Sequence, residues 1–453
     1  MKIIIKIFLF FYFLFGSLNA ETEIDSNLKE ALESLYYYSP KLKYERKILM
    51  SKDELLPQAY SDFRPEIKGY YEKGKVDTNP AGFNIISEGV RTETNKGFTI
   101  TQKLFNGGSS LSNVDAAKNE ILAQRFFLKQ IEQDVFLEAI KIYGDLATEI
   151  SNLDLKKKNL EFLERQLDLT KQQFEIGEVT LTDVSIAEAR FSLGKSEILK
   201  TNSNIDSLSA KYFALFGVIA DSPQLFDSSI DENTFNLDEI KAFGQKNNPK
   251  ILNVYYQIKS IEKKVQSLKR KRLPSVKLEA EAKINQGYFR TDSEREVLSA
   301  FTKVDIPLYQ SGAASSKIRE EKKRLFALKE LLNQNIKEVE FNIISSLSSL
   351  NSSFSRIEAY EKQIESNKIF LEGLEQELLL GERTTLDLLD GEQELLKSQL
   401  DLIVSKKDLF VSYYEILFYL GKLNAKNLKL DVELFDEKAN YNKVKYKWLD
   451  LIE

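Results

Sequence analysis

The chain has 453 residues, of which 42% are hydrophobic and 29% charged, a composition that is ordinary for a folded protein. Its formal net charge is −5, so the chain lacks the bulk basic charge of nucleic-acid-binding proteins. It contains no Cys and no His, which excludes disulfides, thiol nucleophiles, Cys/His zinc sites and His-based catalytic triads. We therefore expect neither an enzyme nor a protein that holds a metal or a cofactor.

The first twenty residues, MKIIIKIFLFFYFLFGSLNA, have the layout of a secretory signal peptide. Two lysines, Lys2 and Lys6, precede an apolar run at 7–15, and the segment ends in a small residue, Ala20. We predict cleavage near Ala20 and export from the cytoplasm. An N-terminal membrane anchor is the alternative, although the apolar run is short for a membrane span.

Beyond the signal peptide, the chain consists of two copies of one unit. LFNGGSS at 104–110 matches LYQSGAA at 308–314, and Gly177 matches Gly381, both with an offset of 204 residues. The offset differs only upstream of Leu104, so the change in length falls in a single loop, where insertions are tolerated. We assign a first repeat to 21–220, an equatorial linker to 221–248, a second repeat to 249–424 and an equatorial C-terminal tail to 425–453.

Each copy contains a pair of strand-like segments, at about 65–106 and at about 274–310. In VKLEAEAKI (276–284), apolar residues alternate with lysines and glutamates, which gives a strand one apolar and one charged face. GFTITQKLF (97–105) and TKVDIPLYQ (302–310) are the predicted return strands, and polar loops connect each pair.

Long proline-free stretches follow both strand pairs, so each stretch can form a long helix. Apolar residues recur every seven positions, which is typical of coiled coils, at 153, 160, 167 and 174 and again at 357, 364, 371 and 378. The stretches 109–176 and 313–380 have equal lengths, roughly 100 Å as helices. We predict two antiparallel helical hairpins, with tips near 177–183 and 381–387.

Glycines mark the predicted changes of chain direction. Gly177 and Gly381 permit tight turns at the hairpin tips, whereas Gly107, Gly108 and Gly312 let the chain pass from strand to helix. We interpret these glycines as structural, because the Lys-Ser/Thr pair of a phosphate-binding loop is absent.

Four strands are too few to close a barrel, for which about eight is the practical minimum. The neighbouring helices are too extended to enclose the sheet in a soluble core. We therefore expect an oligomer whose chains share one barrel, and three chains would give twelve strands around an open bore.

The repeat, the strand pairs, LFNGG and the two Gly-Glu turns together resemble the TolC family of outer-membrane efflux and export channels, over essentially the whole mature chain. The resemblance implies a mainly α-helical homotrimer with a twelve-stranded β-barrel in the lipid of the outer membrane. It also implies a helical tunnel deep in the periplasm, which docks to a periplasmic adaptor (membrane fusion) protein and to an inner-membrane pump of the ABC or RND type.

The resemblance assigns roles to the tip segment GERTTLDLLD (381–390). Asp387 and Asp390, three apart on one helix face, would line the pore at its narrowest point, and three chains would give a ring of six carboxylates that attracts cations. Arg383 and Asp183 would hold neighbouring coils together in the closed state, with a pairing between the two as one option. Helix capping is the alternative role for Asp183 and Asp387, and a solvated surface charge is the alternative for Arg383.

The sequence thus predicts a passive exit duct of a tripartite export system, gated at the periplasmic helical tip. Multidrug efflux and type I protein secretion both remain open, although the tail around Trp448 resembles that of secretion-branch members. A soluble periplasmic coiled-coil scaffold or adaptor without a pore is the alternative. Neither reading makes the chain an enzyme, since the neighbouring Asp387 and Asp390 have no pocket for acid–base chemistry.

Overall fold

The computed structural model of the chain describes residues 26–78, 89–221, 223–225 and 235–448. The predicted signal peptide, residues 79–88 of the first strand connection, residues 222 and 226–234 of the predicted linker and the end of the tail lie outside the described residues. No helix in the described ranges combines the length and the apolar character that crossing a membrane requires.

The described part of the chain contains ten α-helices and four strands. In chain order they are α1 (Ser26–Tyr38), α2 (Pro40–Asp53), α3 (Leu55–Tyr60), β1 (Glu66–Thr78), β2 (Gly89–Asn106), α4 (Ser109–Glu175), α5 (Leu181–Phe216), α6 (Leu237–Asn247), α7 (Pro249–Arg270), β3 (Ser275–Gln286), β4 (Glu294–Asp305), α8 (Ala313–Leu379), α9 (Thr385–Tyr419) and α10 (Ala439–Val444). The predicted combination of long helical hairpins with four strands is confirmed, and α4 and α8 are both 67 residues long.

The contacts divide the chain into two units. The first contains the residues up to Glu45, Leu128–Ile251 and Asn335–Phe435, and the second contains Arg46–Phe127, Leu252–Gln334 and the residues from Asp436 onward. The second unit holds the sheet, and the first holds both hairpin tips.

The strands form one antiparallel sheet in the order β1-β2-β3-β4. The register pairs Ile67 with Ile100, Ile100 with Ala280, and Ala280 with Ala300, so these side chains lie in one row on one face. Strand β4 ends at Asp305, short of the predicted end at 310, because Pro307 has no backbone N–H to donate to a neighbouring strand.

The two faces of the sheet differ in polarity, as the alternation in the sequence predicts. On one face, Ile67, Phe98 and Leu298 are 66%, 66% and 87% exposed in the single chain. The other face carries ion pairs such as Lys303 Nζ with Glu279 Oε1 at 2.7 Å. The exposed apolar side chains form a surface that water solvates poorly and that a stable protein would cover.

The first unit contains a helical core. Fully buried side chains from α1, α4 and α5 meet there, and the rings of Tyr212 and Phe216 stack with centroids 4.1 Å apart. The start of the tail is hydrogen-bonded to α1, because the backbone N–H groups of Glu433 and Phe435 donate to the hydroxyls of Tyr37 and Tyr36.

Later tail residues pack within the second unit. The side-chain amide of Asn440 donates to the Met50 carbonyl at 3.1 Å and to Asp53 Oδ2 at 2.9 Å. The guanidinium of Arg64 lies 4.8 Å from the ring centroid of Trp448 and donates to the Lys447 carbonyl at 2.8 Å. These contacts give the only tryptophan of the sequence a packing role.

Candidate functional site

The two hairpin tips are built by the same turn. Gly177 follows α4 with φ +82°, and Gly381 follows α8 with φ +75°, in the left-handed region where only glycine is unstrained. The next backbone N–H, of Glu178 or Glu382, donates to a carbonyl five residues earlier at 2.9 Å in both copies. These bonds satisfy carbonyls that the ends of α4 and α8 leave without helical partners.

Asp183 and Asp387 each complete a capping box at the start of the returning helix. The Asp387 Oδ2 atom accepts hydrogen bonds from the Thr384 backbone N–H at 3.0 Å and from the Thr384 hydroxyl at 2.8 Å. Asp183 Oδ2 accepts the same two bonds from Thr180, at 2.9 and 2.7 Å. The bonds from each threonine lower the pKa of the aspartate, so both carboxylates remain charged at neutral pH.

Arg383 contacts an acid on its own hairpin. Its Nε atom donates to Glu377 Oε2, near the end of α8, at 2.8 Å. Within the described part of one chain, therefore, Arg383 is not paired with Asp183, the option considered from the sequence. Asp183 is bound to Thr180 instead, since a cap three residues away needs no tertiary packing to form.

Asp390 connects the two hairpins, a contact that the sequence reasoning missed. The Arg190 Nη2 atom, on α5, donates to Asp390 Oδ1, on α9, at 2.7 Å. At the repeat offset of 204, Asp390 corresponds to Ile186 and Arg190 to Glu394, so the pair has no copy within the repeat. This mismatch was the signal available in the sequence. Only the second copy has the acid, Asp390, and only the first copy has the base, Arg190. When the two copies are aligned, these positions are about one helical turn apart.

Close helix packing fixes the position of this ion pair. Leu163, Leu167, Ala187 and Leu389 form a buried cluster where α4, α5 and α9 meet. A Cβ atom on Gly391 would lie 2.7 Å from Leu374 Cδ1, so α9 also packs closely against α8. Arg190 lines a cavity of about 180 Å³ beside the cluster.

Glu392, two residues beyond Asp390, has an unusually high pKa for a glutamate side chain. Burial raises its pKa to about 7, and the nearby carboxylate of Glu375 adds to the shift, whereas Arg165 opposes it. The group therefore changes charge close to neutral pH.

We expect Glu392→Gln to remove a pH dependence of stability. The folded protein binds the Glu392 proton more tightly than the unfolded chain, where the carboxyl titrates near 4.5, so stability falls as pH rises from about 4.5 to about 7. Thermal unfolding of the detergent-solubilised protein between pH 4.5 and 8 measures this effect. The variant should unfold at a higher temperature than wild type at pH 8 and at the same temperature at pH 4.5. Glu394→Gln, which alters an exposed carboxylate on the same helix, is the control, and equal pH slopes for wild type and Glu392→Gln would contradict the assignment.

The strand-to-helix turns differ between the copies although their backbones are alike. Gly107, Gly108 and Gly312 have φ values of +65°, +78° and +79°. A Cβ atom on Gly107 would lie 2.3 Å from the Arg270 carbonyl oxygen, whereas one on Gly312 would meet no atom within 4 Å. The first turn is therefore a packed joint and the second an open one.

Most of the chain matches a single protein-family model, described as outer membrane efflux protein, over residues 31–217 and 245–422. Outer membrane efflux protein BepC from Brucella suis is 26% identical over 437 residues, covering 96% of this chain and 94% of that protein. Outer membrane protein TolC from Salmonella enteritidis is 23% identical over 425 residues, covering 89% and 83%. Alkaline protease secretion protein AprF from Pseudomonas aeruginosa is 23% identical over 319 residues, covering 68% and 66%.

Solved structures share the fold. The outer membrane channel CmeC from Campylobacter jejuni matches with a TM-score of 0.79 at 15% identity, covering 96% of this chain and 95% of that chain. The outer membrane protein VceC from Vibrio cholerae matches with a TM-score of 0.78 at 17% identity, covering 88% and 96%. Channels of the TolC family form trimers and act in tripartite systems with adaptor and inner-membrane pump partners. The chain belongs to the outer membrane efflux protein family, and it is accordingly an outer-membrane channel that extends into the periplasm, a passive conduit and not an enzyme.

Proposed function

We propose that three copies of this chain form the exit duct of a tripartite export system, with their strands closing a shared twelve-stranded barrel. The observation that carries the proposal is the sheet, with one apolar exposed face, one charged face and, in the described ranges, two edge strands, β1 and β4, that pair on one side only. In lipid every backbone N–H and C=O group must be paired, and joining β4 of one chain to β1 of the next achieves this.

In the proposed duct, the hairpin tips form the gate at the periplasmic end. Asp387 and Asp390 line the constriction as a ring of carboxylates that attracts cations. Arg383 and Asp183, one at each hairpin tip, hold neighbouring chains together when the gate is closed. Contacts between exposed charges contribute only about 0–1 kcal/mol each, so a few such contacts can be broken when a partner docks.

The proposed partners are a periplasmic adaptor and an inner-membrane pump, for either multidrug efflux or type I protein secretion. The names of the relatives include both kinds of export, efflux for BepC and protease secretion for AprF. A wide water-filled duct recognises little of its cargo, so the choice of substrate lies with the pump.

The test combines three measurements on the full-length protein. The duct predicts a heat-dissociable trimer extracted from outer membranes by detergent, single-channel conductance in planar lipid bilayers, and capture of an adaptor and a pump after crosslinking in cells. The pump that is captured then decides between efflux and secretion. A monomer in the periplasmic fraction without conductance would overturn the proposal and favour a soluble scaffold.

We expect Arg383→Ser to raise the single-channel conductance, because the variant removes a charge that holds neighbouring chains together at the closed tip. Glu377→Gln is the matched variant, since it frees Arg383 from its partner on the same hairpin while leaving the guanidinium available to a neighbouring chain. It should leave the conductance at the wild-type value or below. A wild-type conductance for Arg383→Ser would reduce Arg383 to a solvated surface charge.

A further inference from the structure

We propose that Arg190 is a specificity-determining residue of the channel, because it neutralises Asp390 within each chain and so halves the charge of the carboxylate ring. The inference rests on the proposed function, since it takes Asp387 and Asp390 to line the constriction. Because Arg190 belongs to the first hairpin, the proposal gives that hairpin a role in ion selectivity in addition to that of the acids of the second hairpin.

The contact is short and direct. Arg190 Nη2 and Asp390 Oδ1 are 2.7 Å apart, a charge-assisted hydrogen bond, and the two side chains are 34% and 57% exposed. Because both groups are partly solvated, the bond adds little to stability. The bond matters more for the pore than for stability. Two opposite charges this close together act on a passing ion as a dipole, which attracts a cation less strongly than a single carboxylate does.

Arg190 lies where the two hairpins meet. Its side chain lines the cavity of about 180 Å³ between α4, α5 and α9. The acid among the residues that line this cavity, Glu197, accepts a hydrogen bond from Lys156 Nζ at 3.0 Å. Glu197 is therefore already paired with Lys156, and Arg190 is bonded to Asp390 instead.

The two ring acids consequently differ in the charge of the groups that bind them. Asp387 is bound by the neutral hydroxyl and amide groups of Thr384, so it keeps its full negative charge. Asp390 is bound by a guanidinium, so the net charge of its pair is zero. Three chains would present six carboxylates and three guanidiniums at the constriction, with a net charge equal to that of the Asp387 side chains alone.

A double-mutant cycle in planar bilayers tests the proposal. The wild type, Arg190→Gln, Asp390→Asn and the double variant are compared by the ratio of cation to anion permeability and by the affinity for hexaamminecobalt(III) as a trivalent blocker. We expect Arg190→Gln to raise both values several-fold, because it uncovers Asp390. Asp390→Asn should lower both, because it leaves Arg190 uncompensated, and the double variant should return to values near wild type.

Two further variants guard against misfolding and bulk charge effects. Arg190→Lys keeps the charge and should resemble wild type, whereas Lys195→Gln removes an exposed cation of the same helix and should change neither value. The role of Arg190 would be overturned if Arg190→Gln left selectivity unchanged while Asp390→Asn lowered it and the double variant equalled Asp390→Asn. That outcome would still support the ring of carboxylates. If neither Asp390→Asn nor Asp387→Asn changes selectivity or block, the ring itself is overturned, and with it the proposed gate.

Discussion

Replacing Gly107 by Ala is expected to remove most of the assembled protein from the outer membrane, whereas the same change at Gly312 should leave the protein assembled. Both positions have a left-handed backbone, so Ala costs about 1–2 kcal/mol at either one. Only at Gly107 would the new Cβ atom also overlap other groups, 2.3 Å from the Arg270 carbonyl oxygen and 2.9 Å from Leu273 Cβ. A carbonyl at the end of a helix cannot move without shifting the helix.

The overlap falls at a joint where three elements meet. Arg270 ends α7, and its Nη1 atom donates to the Gly108 carbonyl at 3.1 Å and to the Ser112 hydroxyl at 2.8 Å. Displacing this residue therefore also loosens the start of α4. Losses of a few kcal/mol are a large fraction of a protein's total stability, about 5–15 kcal/mol.

The measurement is the amount of heat-dissociable trimer in purified outer membranes, determined by immunoblot against total synthesis. Gly108→Ala is the matched control in the same turn, because its Cβ atom would touch the Arg270 side chain at an ordinary distance of 3.6 Å. It should resemble Gly312→Ala. Equal trimer levels for Gly107→Ala and Gly312→Ala would contradict the prediction. They would show that the residues around Gly107 can shift to accept the Cβ atom, and that only the backbone strain affects assembly.

Replacing both ring acids, Asp387→Asn with Asp390→Asn, is expected to abolish cation selectivity and block by trivalent cations in planar bilayers. Asn is preferred to Ala because its side-chain oxygen can still accept the hydrogen bond from the Thr384 N–H, so the start of α9 remains capped. With both carboxylates gone and Arg190 retained, the constriction would carry a positive charge and favour anions weakly. The reversal potential in a salt gradient gives the permeability ratio directly.

The matched control for the ring is Asp183→Asn, which makes the same change to the equivalent capping box of the first hairpin. It should leave the permeability ratio near that of wild type, because the ratio reports the charge at the constriction, which Asp183 is not proposed to line, and not the contact between chains. If the double variant forms a trimer and keeps the wild-type ratio, Asp387 and Asp390 do not line the conducting path, and their place in the chain is explained by capping and by the contact with Arg190 alone.

The sequence by itself determined the features that depend on local periodicity. The alternation in VKLEAEAKI predicts a strand with two unlike faces, and the seven-residue spacing along 153–174 predicts a long packed helix, because each pattern follows from the geometry of its own segment. The positions of Gly177 and Gly381 predict the tip turns for the same reason, since the need for a left-handed residue is local. Because the unit is repeated, each of these patterns occurs in both copies and supports the same prediction twice.

Only the tertiary structure decided which side chains meet across the hairpins. The capping role of Asp387 could be predicted as one of two options, but the pairing of Arg190 with Asp390 depends on how α5 packs against α9. The choice of Glu377 as the partner of Arg383 depends on the angle of the turn. Gly107 corresponds to Ser311 in the repeat, and both have a left-handed backbone, but α7 ends beside Gly107, where a Cβ atom would lie 2.3 Å from the Arg270 carbonyl oxygen. Contacts between residues far apart in the chain are set by helix packing and strand register, which a repeat in one sequence does not specify.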